Sequence, residues 1–346
     1  MRRHPLVVGI VAALAVLAAC GGGDDDASRR PPPPPAPTVA GDVAPLTGLP
    51  QPDVARRQRV ALVVKIDNAP SARPQAGLNQ ADVVVEEKVE DGVTRLFTVY
   101  QSNDSDPVGP VRSARSTDIA LAAPLRRPLF AYSGTNSAFQ QQLKTAPLVD
   151  IGVDVAPGDY NRQRGRPAPY NLFSSTSALY RRAPAGAMAP PPLFAYRPAG
   201  QALAAAGTAP ASGVHLEYRG QHVTTVVDYG WDAGAGVWRR SQNGTPHTDP
   251  GGAQVAPRNV VVQFVEYRDT GLRDRSNTAV PEAQLVGGGE AWVLSDGKSV
   301  RGRWSKPTLE AVTTYTDVAG QPVALTPGTT WVELPPPGAA QLVDQR

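Results

Sequence analysis

The sequence predicts a mixed α/β (α+β) fold in two parts: an N-terminal α/β domain over residues 45–200 and a β-rich C-terminal domain over 213–336, with a tail at 337–346. Three observations carry this. The run Val60-Ala61-Leu62-Val63-Val64-Lys65-Ile66 is apolar without alternation, as a strand buried on both faces requires. Leu129–Tyr132, Asn136–Thr145 and Leu148–Ile151 read as strand, short helix and strand, the order of a βαβ unit. Beyond residue 213 no long helical period appears; strand-like runs alternate there with tight-turn pairs.

The chain starts with Arg2, Arg3 and His4, followed by fourteen uncharged residues, Leu6–Ala19. This matches the apolar region of a secretory signal and is short for a membrane span. It ends in Leu17-Ala18-Ala19-Cys20, which resembles the bacterial lipobox, so residues 1–19 are expected to be a lipoprotein signal peptide and Cys20 the lipidated residue. Cys20 is the only cysteine, which leaves no partner for a disulfide and no thiol for catalysis or metal binding. Two or more acyl chains on Cys20 would hold the chain stably to a membrane. Residues 20–44 run from Gly21-Gly22-Gly23-Asp24-Asp25-Asp26 into Pro31–Pro35, the composition of a disordered stalk with a stiffer polyproline spacer. The expected location is extracytoplasmic, anchored by lipid to a bacterial membrane.

Charge narrows the function classes. The full chain carries a formal +3. Residues 1–19 hold Arg2 and Arg3 and no acid, so without them 32 basic side chains face 31 acidic ones. That balance lacks the concentrated basic face of a dedicated nucleic-acid binder, and no nucleic-acid partner is expected. The length beyond the stalk accommodates two domains at ~100–200 residues each.

The elements follow in order. Ordered structure is expected from about Pro45. Val83–Val85 and Val93–Tyr100 flank Asp91-Gly92, a type I′ turn pair, and so predict a hairpin. Thr176–Arg182 reads as a helix capped by Ser174 or Ser175. The Ala/Pro-rich stretch 183–213 marks the domain boundary, with Leu193–Tyr196 a further strand of the first domain. In the second part Val214–Tyr218, His222–Tyr229, Asn259–Tyr267 and Ala291–Leu294 are strand-like, Asn243-Gly244 marks a tight turn, and Asp296-Gly297 leads into Lys298–Trp304 as a hairpin.

With these segments placed, the chain resembles the YerB-like family of bacterial lipoproteins. The likeness rests on blocks in order from about Pro45 to about Leu334. They include Pro45-Leu46-Thr47-Gly48-Leu49-Pro50, Val64-Lys65-Ile66-Asp67-Asn68, Arg73–Asp82, Glu86-Glu87, Gly92-Val93-Thr94-Arg95 and Gly109–Arg115. In the second part they include Trp238-Arg239-Arg240, His247, Asn259–Gln263 and Pro327-Gly328-Thr329-Thr330-Trp331. Ser133-Gly134-Thr135-Asn136 departs from the more glycine-rich turn expected there. The resemblance implies a two-domain fold and an anchored location; it implies no established reaction.

The densest polar set lies in the first part. Lys65, Asp67 and Asn68 end one apolar strand; Arg73, Asn79, Arg95, Arg112, Ser113 and Arg115 lie on or beside the turns, where α/β domains build binding sites. These eight residues other than Asp67 are the expected binding set. If the segment after Pro110 is helical, Arg112 and Arg115 share a face and grip one carboxylate or phosphate. Alternatively these arginines brace loops by pairing with Asp67, Asp82, Glu86 or Glu87.

Asp67, Glu86 and Glu87 are the weaker, catalytic candidates, since glycan hydrolysis needs two carboxyls ~5–9 Å apart with one pKa raised. Glu86 and Glu87 point to opposite faces of a strand, and the arginines oppose a raised pKa. No Gly-x-Ser-x-Gly, Walker loop, dinucleotide fingerprint, calcium loop or zinc spacing is present, so no metal and no cofactor is expected. A turn-stabilising His247–Asp249 pair is expected, and the five tryptophans are read as β core, with Trp304 the exposed exception. The expected function is a non-catalytic binding or scaffold protein of the cell envelope, with a cell-wall polymer or envelope protein as partner. The alternative is a wall-active hydrolase or transferase using the first-domain carboxylates.

Overall fold

A computed structural model describes residues 41–274 and 277–344. Cys20, the signal and nearly all of the stalk lie outside the described residues. Among the described residues are four short α-helices: α1 (Val54–Gln58), α2 (Thr117–Ala122), α3 (Ser137–Thr145) and α4 (Thr176–Tyr180). The N-terminal segment carries β1 (Leu62–Asp67), β2 (Val83–Lys88), β3 (Thr94–Tyr100), β4 (Leu129–Ala131) and β5 (Val149–Asp150), then the ribbon β6 (Asn161–Arg162) and β7 (Leu172–Phe173). After the Ala/Pro-rich connection come β8 (Thr208–Pro210), β9 (Gly213–Arg219), β10 (Thr224–Asp232), β11 (Val237–Gln242), β12 (Thr245–Pro246) and β13 (Asn259–Gln263). The chain then forms β14 (Tyr267–Arg273), β15 (Ala279–Ala283), β16 (Gly287–Ser295), β17 (Lys298–Lys306), β18 (Thr314–Asp317), β19 (Thr330–Leu334) and β20 (Ala340–Val343). The fold is thus mixed α/β first and strand-rich afterwards, as the sequence predicts.

Local signals explain these elements. All six residues of β1 are buried, which fits its unbroken apolar run. The β2–β3 hairpin closes through Asp91 and Gly92, both at positive φ (51° and 76°), the backbone a type I′ turn needs. Asp296-Gly297 does the same between β16 and β17, and Asn243-Gly244 between β11 and β12. The expected βαβ unit forms from β4, α3 and β5, with β4 and β5 parallel and Asn136 capping α3 through the Phe139 N–H. Ser175 caps α4.

The two segments share their main sheet. Its order is β18-β17-β16-β13-β19-β2-β3-β1-β4-β5, with β8 also paired to β17. The joint is β19, which lies parallel to β2 on one side and to β13 on the other. A second sheet, β12-β11-β10-β9-β20, covers one face. There Leu62, Val64 and Val84 meet Leu216, Val227 and Trp238 in one core. The other face carries Val63, Val83, Phe97 and Phe130 against α2 and α3. Alternation along β1 and β2 therefore assigns each polar residue to a face.

Several expectations are corrected. Asn259–Tyr267 is two elements: β13 stops at Gln263 in the main sheet, and Tyr267 opens the separate β14–β15 ribbon. The break follows because Phe264 N–H bonds Glu290 O and Val265 N–H bonds Pro335 O, turning the chain away. Leu193–Tyr196 makes only one bridge, Tyr196 with Leu325; Pro190-Pro191-Pro192 just before it supply no N–H donors. Trp304 is 3% exposed, its indole N–H bonded to Phe264 O at 2.8 Å, because β17 turns that face toward the core. His247 does not pair with Asp249. It is buried against Arg240 and Gln75, while Asp249 caps its own turn at Ala253 N–H.

Candidate functional site

The predicted polar residues separate into three places. The first lies at the carboxyl end of β1. Asp67 closes β1 opposite Arg95, the second residue of β3. The segment Pro110–Ala114 runs beside both, with Asp67 N–H bonding Pro110 O at 3.0 Å and Arg112 N–H bonding Lys65 O at 2.7 Å. Its far side holds the loop after β4: Ser133 N–H bonds Arg112 O, and Ala114 N–H bonds Gly134 O, each at 3.0 Å. The segment is therefore extended, not helical, and Arg112 and Arg115 do not share a helix face. Backbone pairing on both edges outweighs the local helical option there.

Their side chains diverge accordingly. Arg112 Nε lies 2.8 Å from Asp67 Oδ2. Arg115 grips Glu90 with two nitrogens, the Nη2–Oε2 bond being 2.8 Å. Arg95 Nη1 donates to Ser113 O at 2.8 Å, and its Nη2 lies 3.7 Å from Glu90. Burial and the neighbouring Arg115 push the Arg95 guanidinium down to about 10. Burial pushes Glu90 up, but Arg115, with Arg95 adding to it, outweighs this and holds the carboxyl below the usual range. Three guanidiniums thus face two carboxylates. Arg95 Nε is buried without a hydrogen-bond partner, and the accessible surplus donors are on Arg112: its side chain is 27% exposed, and neither Nη makes a hydrogen bond among the described residues. Open sheets with parallel strands present ligands at this strand end.

The second place is a buried polar layer between the two sheets. Glu86 and Glu333 sit side by side across β2 and β19. Arg240 of β11 pairs with Glu86, and all of these side chains are buried. Glu333 accepts the Tyr218 and Tyr229 hydroxyls, each at 2.6 Å. Burial and adjacent Glu86 push the Glu333 carboxyl up to about 8. Burial, then Arg240, drives the His247 imidazole far below its ordinary value, so it is neutral. Asn68 belongs to this layer, donating to Glu86 at 2.9 Å and Thr94 at 2.8 Å. Arg73 and Asn79 also reach the C-terminal segment, at Gln242 O (3.3 Å) and Asp249 (3.2 Å). Each buried carboxylate is held by donors, as a low-dielectric layer demands.

The third place lies on the other face, where Lys65 and Glu87 meet Asp118 of α2 under complete burial.

Of the expected residues, the structure brings together Asp67, Arg95, Arg112, Ser113 and Arg115. It sets Asn68, Arg73, Asn79 and Glu86 in the interlayer, and Lys65 and Glu87 beneath α2. Sequence reasoning missed Glu90, Asp118, Arg240, Tyr218, Tyr229 and Glu333. A signal existed for Glu333, a lone acid in the strand Thr330-Trp331-Val332-Glu333-Leu334. An acid in a fully buried run demands a partner. Among the described residues no group of three or more His, Cys, Asp or Glu is arranged to hold a metal ion.

Residues 46–188 match the N-terminal domain, and 214–332 the C-terminal domain, of the family described as protein of unknown function DUF3048. The chain belongs to this YerB-like family. It is 28% identical over 304 residues to the Bacillus subtilis (strain 168) protein named "Putative lipoprotein YerB", covering 85% of this chain and 86% of that one. The crystal structure of YerB protein from Bacillus subtilis superimposes with a TM-score of 0.74 at 25% identity, over 87% of this chain and 99% of that one. The family likeness therefore extends through both sheets of the fold, while the family's description carries no reaction.

Proposed function

We propose that the protein is a membrane-anchored lipoprotein of the bacterial cell envelope that binds an anionic group without turning it over. The anchor reading is supported by the lipobox-like Leu17–Cys20 and by the name of the Bacillus subtilis relative. The binding reading is carried by Arg112. Asp67 Oδ2 lies 2.8 Å from its Nε as an ion pair that makes no hydrogen bond, and among the described residues neither Nη is hydrogen-bonded at this partly exposed strand end. A planar fork fixed on one side and open on the other suits a carboxylate or phosphate. Wall polymers and envelope proteins both offer such groups.

The carboxylates support binding over catalysis. Asp67 is tied to Arg112 and Ala69 N–H, Glu86 to Arg240 and Asn68, and Glu87 to Lys65. A general acid or base must reach its substrate, and Glu86 and Glu87 have no exposed surface. The test is co-sedimentation with purified cell wall and an assay for released fragments in the supernatant. Binding without release, lost in Arg112→Ala, is expected. Fragment release by the native protein, abolished in Asp67→Asn, would replace this reading with a wall-active hydrolase or transferase.

A further inference from the structure

The cluster beneath α2 has a different chemistry. Lys65 leaves β1 and Glu87 leaves β2 on the same face, and Asp118 is the second residue of α2 above them. The side chains of all three have 0% exposure. Lys65 Nζ donates to Glu87 Oε1, and to Asp118 Oδ1 at 2.6 Å. The Phe97 ring centroid lies 5.9 Å from Nζ. Asp118 Oδ2 accepts the Arg115 N–H at 2.7 Å. Glu87 Oε2 is buried with no hydrogen-bond partner.

We propose that Lys65 and Asp118 close an intramolecular amide in the folded protein, with Glu87 carrying the protons, so that β1 is covalently tied to α2. One ammonium between two carboxylates leaves an excess negative charge in a fully buried site, which is costly to keep. Burial accordingly raises the Glu87 carboxyl pKa against the pull of Lys65, as a proton carrier requires. An amine hydrogen-bonded to one carboxyl oxygen sits beside the carboxyl carbon, near the ~3–3.5 Å separation that precedes attack.

The step balances without an added reactant. A proton passes from the Lys65 ammonium to Asp118 Oδ1 by way of Glu87, giving a neutral amine and a neutral carboxylic acid beside a Glu87 carboxylate. The Nζ lone pair attacks Asp118 Cγ, and the carbonyl electrons move onto Oδ2. The Arg115 N–H already points at that atom and stabilises the charge that develops there. Glu87 takes one proton from the nitrogen and delivers it to Oδ1. The C=O bond reforms, the C–Oδ1 bond breaks, and water leaves. Products are one amide, one water and the Glu87 carboxylate. The chain has a single cysteine, so this is a cross-link available to it where an intrachain disulfide is not.

The experiment is tryptic peptide mass spectrometry of the full-length protein purified from a bacterial host. A free Lys65 is cut. An amidated Lys65 is not, and the peptide Val60–Lys88 then stays joined to Ser116–Arg126, lighter than the two together by one water. The linked peptide is expected in the native protein and absent in Asp118→Ala. Glu87→Gln is expected to fold, by circular dichroism, and remain unlinked. Asp118→Asn is nearly isosteric and loses ammonia in place of water, so it is expected to give the identical linked mass. Cleavage after Lys65 throughout the folded native protein overturns the proposal. So does a water loss confined within Val60–Lys88, which would place the bond on Glu87, or a linked peptide that persists in Glu87→Gln.

Discussion

Replacing Glu333 by Gln is expected to remove a pH dependence of stability that has one identifiable source. In the folded protein Glu333 lies between the sheets, beside Glu86 and beneath the hydroxyls of Tyr218 and Tyr229. Burial, with Glu86 adding to it, raises its carboxyl from the ordinary 4.5 to about 8. Between these values the folded state keeps a proton that the unfolded chain has released. Raising the pH therefore favours unfolding. The stabilising contribution is complete below about pH 4.5 and is lost as the pH rises through about 8. The slope is ~1.4 kcal/mol per pH unit, so between about pH 5.5 and about pH 8 it accumulates to about 3 kcal/mol. Glutamine keeps the shape and accepts from one tyrosine but does not titrate. Urea unfolding of both proteins at the two pH values gives the difference between them, in which titrating groups remote from Glu333 cancel. That difference is expected to move by about 3 kcal/mol in favour of Glu333→Gln at the higher pH. A difference that stays constant with pH would refute the claim that Glu333 is held protonated.

Arg240→Met leaves Glu86 buried and unpaired, and equilibrium unfolding is expected to show a loss of about 3–5 kcal/mol. Gly92→Ala places a Cβ 2.3 Å from Val223 O and 2.4 Å from Gly220 N at a φ of 76°; thermal unfolding is expected to report a loss of about 2 kcal/mol or more. Arg112→Ala leaves the buried Asp67 carboxylate without its guanidinium but opens it to solvent where the partly exposed arginine stood, so its stability cost is expected to be about 1–3 kcal/mol while wall co-sedimentation falls.

The legible parts of the site were its residue types and their place at a strand end. Asp67, Arg95, Arg112, Ser113 and Arg115 do converge at the end of β1. Their partners were not legible. Arg115 meets Glu90 and Arg112 meets Asp67 because the extended segment Pro110–Ala114 is clamped between β1 and the loop after β4. Spacing by three residues says nothing about that clamp. Their charge and their place at strand ends mark Lys65 and Glu87 as binding or catalytic candidates, but tertiary packing puts both under α2.

What the sequence by itself determined is local. The unbroken apolar run of β1, the positive-φ pairs Asp91-Gly92, Asn243-Gly244 and Asp296-Gly297, and the Asn136 and Ser175 caps are fixed by neighbouring atoms and readable in place. The tertiary structure decided what meets at long range. It seated β19 between β13 and β2, brought Arg240 to Glu86 across 154 residues, and buried Trp304. The physical reason is that backbone dihedrals and side-chain alternation depend on a few adjacent residues. Strand order and the pairing of buried charges depend on which faces exclude water together, and no local stretch of sequence carries that information.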